Sequence, residues 1–449
     1  MSPIPLPKRP LITLAPVALL LAAGAAQATD GYFANGYGLK SMSMGGAAAA
    51  VALEPFGGAV NPGAMSFLDN QWQLGVAWFS PDRSASRTGS GPAGIDGSVA
   101  SDSTNFFIPE FGVNWRYRPD VAFGLTVYGN GGMNTNYPGG QIGAASACGA
   151  FRGGVGAPYN LLCGTGSLGV DMSQLMIAPY ASWEFTKGHS IGIAPVIAYQ
   201  RFSAEGLQAF DNPMFSTSPG SVTNNGTSSS WGFGARLGYM GELNDQFSVG
   251  VAYATKVGMG EFDGYKGLFA QSGGFDIPAN FTVGIGLKPT DKWLIALDFE
   301  RIFYSDVKSV GNPSSLIFNC LGGDASACLG GSNGAGFGWQ DINVWKVGVQ
   351  YTVNDQWTLR GGYNHSGNPV QPADVTFNIL APGIVQNQWS LGASWKFDPQ
   401  SELSGTFMYA QNNSVTGSSL FVGFGAPPTT SETIQMKEVM IGIAYSRKF

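Results

Sequence analysis

From Trp345 to Val353 every second residue is apolar (Trp345, Val347, Val349, Tyr351, Val353), and the residues between are small or polar (Lys346, Gly348, Gln350, Thr352). A period of two belongs to β-strands. Phe281, Val283, Ile285 and Leu287 repeat it against Thr282, Gly284, Gly286 and Lys288, and Trp389, Leu391, Ala393, Trp395 and Phe397 against Ser390, Gly392, Ser394 and Lys396. Soluble sandwiches alternate too, but they bury their apolar face in a dry core made from both sheets. Here the opposite face is glycine and polar residues, which cannot build such a core, while large aromatics mark the ends of the apolar face: Trp231 and Tyr239, Trp293 and Phe303, Trp389 and Phe397. This pattern predicts strands that turn their apolar side to lipid, with aromatic girdles at both interfaces.

Short turn signals recur at Arg118-Pro119-Asp120, Lys187-Gly188-His189, Asn244-Asp245-Gln246, Pro289-Thr290-Asp291, Asn354-Asp355-Gln356 and Asp398-Pro399-Gln400. Between them lie seven longer connections rich in Gly, Ser, Asn and Pro, near 81–103, 131–172, 206–228, 263–276, 310–337, 366–385 and 415–431. Six turns and seven loops join fourteen strands, the third over Val121 to Asn130 and the last over Lys437 to Phe449. The expected fold is therefore all-β, a fourteen-stranded antiparallel transmembrane β-barrel over residues 71–449. Its turns are expected to be periplasmic and its loops extracellular. The terminal Phe449 resembles the signal read by the barrel-assembly machinery during biogenesis.

Composition agrees with lipid as the solvent. Charged residues make up 12% of 449, glycines number 66, and the net charge is −6; with a pI near 5.0 this disfavours a nucleic-acid partner. Residues 1–28 read as a secretory signal: Lys8 and Arg9, an apolar stretch from Leu11 to Ala25, then the small-residue site Ala26-Gln27-Ala28. Beyond residue 28 no uncharged apolar run is long enough for a spanning helix, and in lipid the remaining structure that satisfies its own backbone is a closed barrel. No enzyme, cofactor or metal is expected. Gly330-Gly331-Ser332-Asn333-Gly334 matches G-x-S-x-G without a strand–elbow–helix context, and Gly164 to Gly169 matches G-x-G-x-x-G without a βαβ unit. His189 and His365 are the chain's two histidines, and no C-x-x-C exists. Four cysteines in an exported chain allow three pairings; Cys148 with Cys163 and Cys320 with Cys328 is the simplest, each pair lying within one long loop.

Residues 29–70 do not alternate. Rich in glycine, alanine and methionine, with helical potential at Ala47 to Leu53 and a turn at Asn61-Pro62-Gly63, they are most simply placed inside the lumen as a plug, with inward glycines leaving room. Thr29-Asp30-Gly31-Tyr32-Phe33, Gly45-Gly46-Ala47 and Asn61-Pro62-Gly63-Ala64-Met65 resemble the N-terminal hatch of the FadL/TodX outer-membrane transporters, whose Asn-Pro-Ala motif here has Gly63 in third place. Further likeness lies in Trp231-Gly232-Phe233-Gly234, Ile277-Pro278-Ala279, and Gly338-Trp339-Gln340-Asp341 running on to Asp355-Gln356-Trp357-Thr358-Leu359-Arg360-Gly361-Gly362.

The resemblance implies passive uptake of hydrophobic molecules across the outer membrane of a Gram-negative bacterium: capture between extracellular loops, a lumenal pocket, hatch rearrangement, and lateral exit at a kink in the third strand. That strand ends in Gly129-Asn130-Gly131-Gly132, a cluster suited to breaking a ladder. Candidate ligand contacts are Phe151, Leu161, Leu162, Phe210 and Phe215, with Arg201 for a headgroup. Where the fatty-acid members carry basic headgroup residues this chain has Gly206 and the uncharged stretch Gly330 to Gly338, which favours neutral or aromatic hydrocarbons over long-chain fatty acids. The expected partners are that ligand, outer-membrane lipid with lipopolysaccharide, and the assembly machinery, for a chain acting as a monomer. The rival reading is a general polar-solute porin or a structural barrel.

Overall fold

The computed structural model describes residues 29–152 and 155–449; the signal read at 1–28 lies outside the described residues. Fourteen long strands follow in order: β1 Gln71–Thr88, β2 Phe106–Arg118, β3 Val121–Tyr137, β4 Leu168–Thr186, β5 His189–Glu205, β6 Ser228–Asn244 and β7 Phe247–Ala254. The second half comprises β8 Asn280–Thr290, β9 Trp293–Ile302, β10 Ile342–Thr352, β11 Trp357–Ser366, β12 Asn387–Lys396, β13 Ser401–Ser418 and β14 Ser431–Lys448. Each pairs antiparallel with its neighbour in sequence, and β1 pairs with β14 from Gln71↔Lys448 to Thr88↔Ser431, which closes the sheet. Closure joins the first and last strands, which a sheet in hydrocarbon requires.

The phase of each strand follows the apolar period. Leu391 is 64% exposed and its neighbour Ser390 3%. Trp231, Trp293, Trp345, Trp357, Trp389 and Trp395 all face outward, and rings on adjacent strands meet, as Tyr363 with Trp389 at 4.6 Å and Trp293 with Tyr351 at 4.6 Å. Several strands outrun their expected ends. The first reaches Thr88 and the thirteenth Ser418, where loops were expected from 81 and 415, and β3 continues past Asn130 to Tyr137. In β1 the alternation survives beyond Pro81, with Arg83, Ala85 and Arg87 inward, but the outward residues become Ser84 and Ser86. A strand that rises out of the bilayer loses its apolar face without losing its ladder, so composition marks the membrane boundary rather than the strand end.

Residues 29–70 touch inward-facing residues of strands all round the barrel. The Tyr37 ring packs against Tyr128 of β3, Pro62 abuts Gly192 of β5, Met44 abuts Gly348 of β10, and Leu39 abuts Gly442 of β14. Inward glycines make this possible: a Cβ on Gly250 would overlap the Ala49 carbonyl oxygen, and one on Gly362 the Gly45 amide nitrogen. The helix expected at Ala47 to Leu53 does not form. Asn61 donates to the Ala49 carbonyl at 2.6 Å and Ser248 to the Ala50 carbonyl at 2.7 Å, so carbonyls a helix would turn to residues 53 and 54 are bound elsewhere, while the Ala48 and Ala49 amides donate to Asp298 at 2.7 and 2.8 Å. Short helices form instead at Leu39–Met42 and Gly57–Val60, with a 3-10 helix over Pro62–Phe67.

A charge on the lipid face tests this orientation. Leu391→Arg is expected to lower unfolding free energy in bilayers by roughly 2–4 kcal/mol, whereas Leu391→Met shifts it by less than about 0.5 kcal/mol. Urea titration of refolded barrel in liposomes measures both, and equal effects would contradict a lipid-facing Leu391.

Candidate functional site

Above the strands, at the long-loop end, aromatic and aliphatic side chains from five connections converge. Leu162, Phe202, Leu207, Phe210, Phe337 and Phe377 are among the walls of an apolar cavity of about 40 Å³. Beside it lies a second, of about 70 Å³, walled by Phe151, Phe215, Phe421 and Phe424 with the Cys148–Cys163 disulfide; Phe210 belongs to both. Engineered cavities that admit benzene are roughly 150 Å³, so in this conformation the walls are closed around less than one aromatic ring. Cys320 joins Cys328 in another loop of the same cluster.

A buried ion pair fixes these loops to the barrel. Arg87 of β1 and Glu432 of β14 meet at 2.5 Å with both side chains fully buried. The guanidinium also donates to the carbonyls of Ile95 at 3.3 Å and Leu161 at 2.7 Å and sits 4.3 Å over the Phe421 ring. Glu432 in turn accepts from Thr376 and, at 2.9 Å, from Ser419. One ion pair thus ties together four long connections.

The wall itself has a window. β2 pairs with β3 only from Phe111↔Val127 down to Arg118↔Val121, while above this point Phe106 to Glu110 stay paired with β1. From Thr126 to Thr135 ten consecutive residues of β3 are buried, so the strand presents no lipid face there. Its register against β4 shifts between Gly129 and Gly131, around Asn130. Above the window the chain closes again where the Asp102 amide donates to the Asn136 carbonyl at 2.8 Å.

The N-terminal segment is bonded to this window. The Ala34 amide donates to the Asn130 carbonyl at 2.9 Å, Phe33 forms a bridge with Gly131, and the Tyr37 hydroxyl donates to Asn130 Oδ1 at 2.6 Å. Nearby, Asp30 lies 3.7 Å from Lys346 and accepts from Gln388 at 3.1 Å and Asn364 at 3.3 Å, while Lys346 makes a closer pair with Glu300 at 2.7 Å. Asp30 lies outside the spanning strands, and burial pushes its carboxyl up to about 7 against the pull of Lys346, with Glu300 adding to the rise. The other end is held at Asn61, whose amide donates to the Tyr239 carbonyl at 2.8 Å while its oxygen accepts from Gly63 at 3.0 Å. A Cβ at residue 63 would come within 2.9 Å of the Gly238 backbone, which accounts for glycine at the place where the resembling motif has alanine.

The structure thus brings Leu162 and Phe210 to the first cavity and Phe151, Phe210 and Phe215 to the second. Leu161 lines neither; it is fully buried and engages Arg87 through its carbonyl. Arg201 also stands apart: Phe202 is the inward residue, and Arg201 shares the outer face of β5 with Ile197 and Tyr199. The headgroup expectation for Arg201 is corrected on that geometry. Ile191, Ile193, Ile197 and Tyr199 already set this phase in the sequence. The cavity walls Phe202, Leu207, Phe337 and Phe377 were not singled out beforehand; Phe202 was legible from the same phase, whereas the others depend on loop folding.

Over residues 155–449 the chain matches the family model for outer membrane protein transport proteins (OMPP1/FadL/TodX). Its fold is similar to that of the Pseudomonas putida toluene transporter TodX (17% identity, TM-score 0.66, 92% of this chain and 99% of that one). It is also similar to the Ralstonia pickettii toluene transporter TbuX (16% identity, TM-score 0.61, 92% and 99%) and to a Pseudomonas aeruginosa FadL homologue (14% identity, TM-score 0.63, 93% and 100%). No curated protein matches the chain in sequence.

Two outcomes follow from the charged contacts. Arg87→Met leaves the Glu432 carboxylate buried without its cation, an expected loss of roughly 3–5 kcal/mol, read as faster protease cleavage of the long loops; unchanged cleavage would contradict the clamp. Asp30 has a folded pKa raised from 3.8, so its contribution to docking is fully present below about pH 4 and is lost as pH rises through about 7. Amide exchange at Phe33 and Ala34, corrected for intrinsic rates, is expected to be faster at pH 8.5 than at pH 5, and Asp30→Asn should flatten that difference.

Proposed function

The chain belongs to the OMPP1/FadL/TodX family of outer-membrane transport proteins, and from that premise we propose that it admits neutral hydrophobic molecules by passive diffusion through the window in its wall. The observation that carries this reading is the unpaired stretch between β2 and β3 with the N-terminal segment bonded across its inner side. A ligand enters the loop cavities from outside. Their side chains part, since the cavities are smaller than an aromatic ring. Release of the Ala34 and Tyr37 contacts to Asn130 then frees the window, and the ligand leaves sideways into the membrane. Residues 29–70 act as the hatch, held at Asn61-Pro62-Gly63 while the part near Asp30 moves; Gly129 to Gly132 let β3 bend at the exit.

Several features support this over a polar-solute porin. The interior is occupied by the N-terminal segment rather than open, and the first cavity is walled almost wholly by hydrocarbon. No cation lines that cavity among the described residues, which favours neutral hydrocarbons over fatty-acid carboxylates. Toluene is the compound named for TodX and TbuX. Among the described residues, nothing in the two cavities brings a nucleophile beside a base, and we infer a transporter with no reaction of its own.

Filling the window tests the route. Gly131→Val with Gly132→Val is expected to leave a heat-modifiable barrel and to reduce toluene uptake at least tenfold in cells lacking the native protein. Equal uptake by both versions would remove the lateral exit, and absence of uptake by the native chain would remove the transport reading.

A further inference from the structure

Three polar side chains gather at the head of the window without satisfying one another. Arg83 of β1 and Glu438 of β14 both face inward; Arg83 stands opposite Met436 and Glu438 opposite Pro81, so they are diagonal neighbours across the closing seam. Tyr137 ends β3 at the same level, one residue beyond the Asn136 that closes the window. Glu438 and Tyr137 are 0% exposed and Arg83 is 4% exposed. Yet among the described residues neither carboxylate oxygen of Glu438, nor the Tyr137 hydroxyl, nor Arg83 Nε has a hydrogen-bond partner. The Arg83 charge acts on both of the others, but no ion pair or hydrogen bond joins the three. Arg83 is otherwise fixed by a 3.3 Å bond from Nη2 to the Ser103 carbonyl and by its position 5.9 Å over the ring of Phe106, the first residue on the free edge of β2.

Leaving such groups buried and unpaired is unfavourable, and more so when they are charged. Their location ties them to the route. Thr135, two residues before Tyr137 on β3, donates to the carbonyl of Leu380 at 2.8 Å, and Leu380 and Val170, the residue paired with Thr135, both line the first apolar cavity. The cluster therefore lies between that cavity and the free edge of the wall.

We propose that Arg83, Tyr137 and Glu438 form a polar subsite for the hydroxyl group of a neutral hydroxylated apolar compound, such as a phenol. A hydroxyl carries one donor and two acceptor lone pairs. It donates to a carboxyl oxygen of Glu438 and accepts from Arg83 or from Tyr137, matching the groups that lack partners. A pure hydrocarbon leaves the polar groups unpaired. The inference rests on the uptake reading above and deepens it, since it divides hydrophobic ligands by one functional group.

Toluene and p-cresol differ by that hydroxyl and form the matched test pair. Tyr137→Phe deletes only an unpartnered hydroxyl, so the barrel is expected to assemble normally; Glu438→Leu is the second variant. In titration calorimetry with the purified full-length protein, Tyr137→Phe is expected to weaken p-cresol binding about fivefold and Glu438→Leu tenfold or more, with toluene changed less than twofold. The same split is expected for uptake by complemented cells. Equal p-cresol affinity in native and variant proteins, or equal losses for both compounds, would overturn the subsite. Native protein that binds p-cresol with this dependence yet imports neither compound would overturn the uptake reading and leave the subsite standing.

Discussion

Every backbone amide and carbonyl that enters hydrocarbon must be paired within the protein, and the rest of this structure is arranged around that requirement. Pairing of β1 with β14 over the full length of both strands closes the sheet on itself. It also imposes the alternation: lipid outside demands apolar residues at every second position, and the other positions are freed for glycine and polar side chains. A window in such a wall is then an exception that needs its own arrangement. β3 supplies it by parting from β2 while staying paired with β4, so that residues from Thr126 to Thr135 are buried rather than exposed unpaired to lipid, and the N-terminal segment provides partners for Asn130 and Gly131.

The filled lumen follows from the same division of faces. A ring of fourteen strands encloses more space than inward side chains of ordinary size fill, and here the inward positions are kept small where the N-terminal segment passes. Gly250 and Gly362 admit its backbone, and Asp298, Lys346 and Asn61 hold it by hydrogen bonds and charge. Under the proposed mechanism these polar attachments suit a segment that moves. Apolar packing over the same surface would be non-directional and hard to release in parts, whereas bonds at Asn130 and at Tyr239 can break separately.

Above the membrane the logic reverses. Water surrounds the loops, so the aromatic residues that face lipid lower down would be costly if left outside, and they collapse into one cluster containing both cavities. The Arg87–Glu432 pair is expensive to bury but organises that cluster, because one guanidinium and one carboxylate together reach Ile95, Leu161, Thr376, Ser419 and the Phe421 ring.

Strand phase, strand number and the lipid-facing residues were all readable from the sequence, since each is a local consequence of a two-residue period facing one solvent. The inward glycines and the irregular composition of residues 29–70 likewise pointed to a segment placed inside. Arg201 shows the same rule applied too loosely: its phase was written in Ile191, Ile193, Ile197 and Tyr199, and it faces outward. What the chain alone could not give is anything set by residues far apart in sequence. The true ends of β1, β3 and β13 depend on the ladders they share with their neighbours, and the loss of helix at Ala47 to Leu53 depends on carbonyls captured by Asn61 and by the distant Ser248. The window exists because β2 and β3 stop pairing at Phe111 and Val127, and the unpaired trio of Arg83, Tyr137 and Glu438 exists because barrel closure brings the first and last strands together. Periodicity is a property of one strand and its solvent, while pairing and its interruption are properties of the closed sheet.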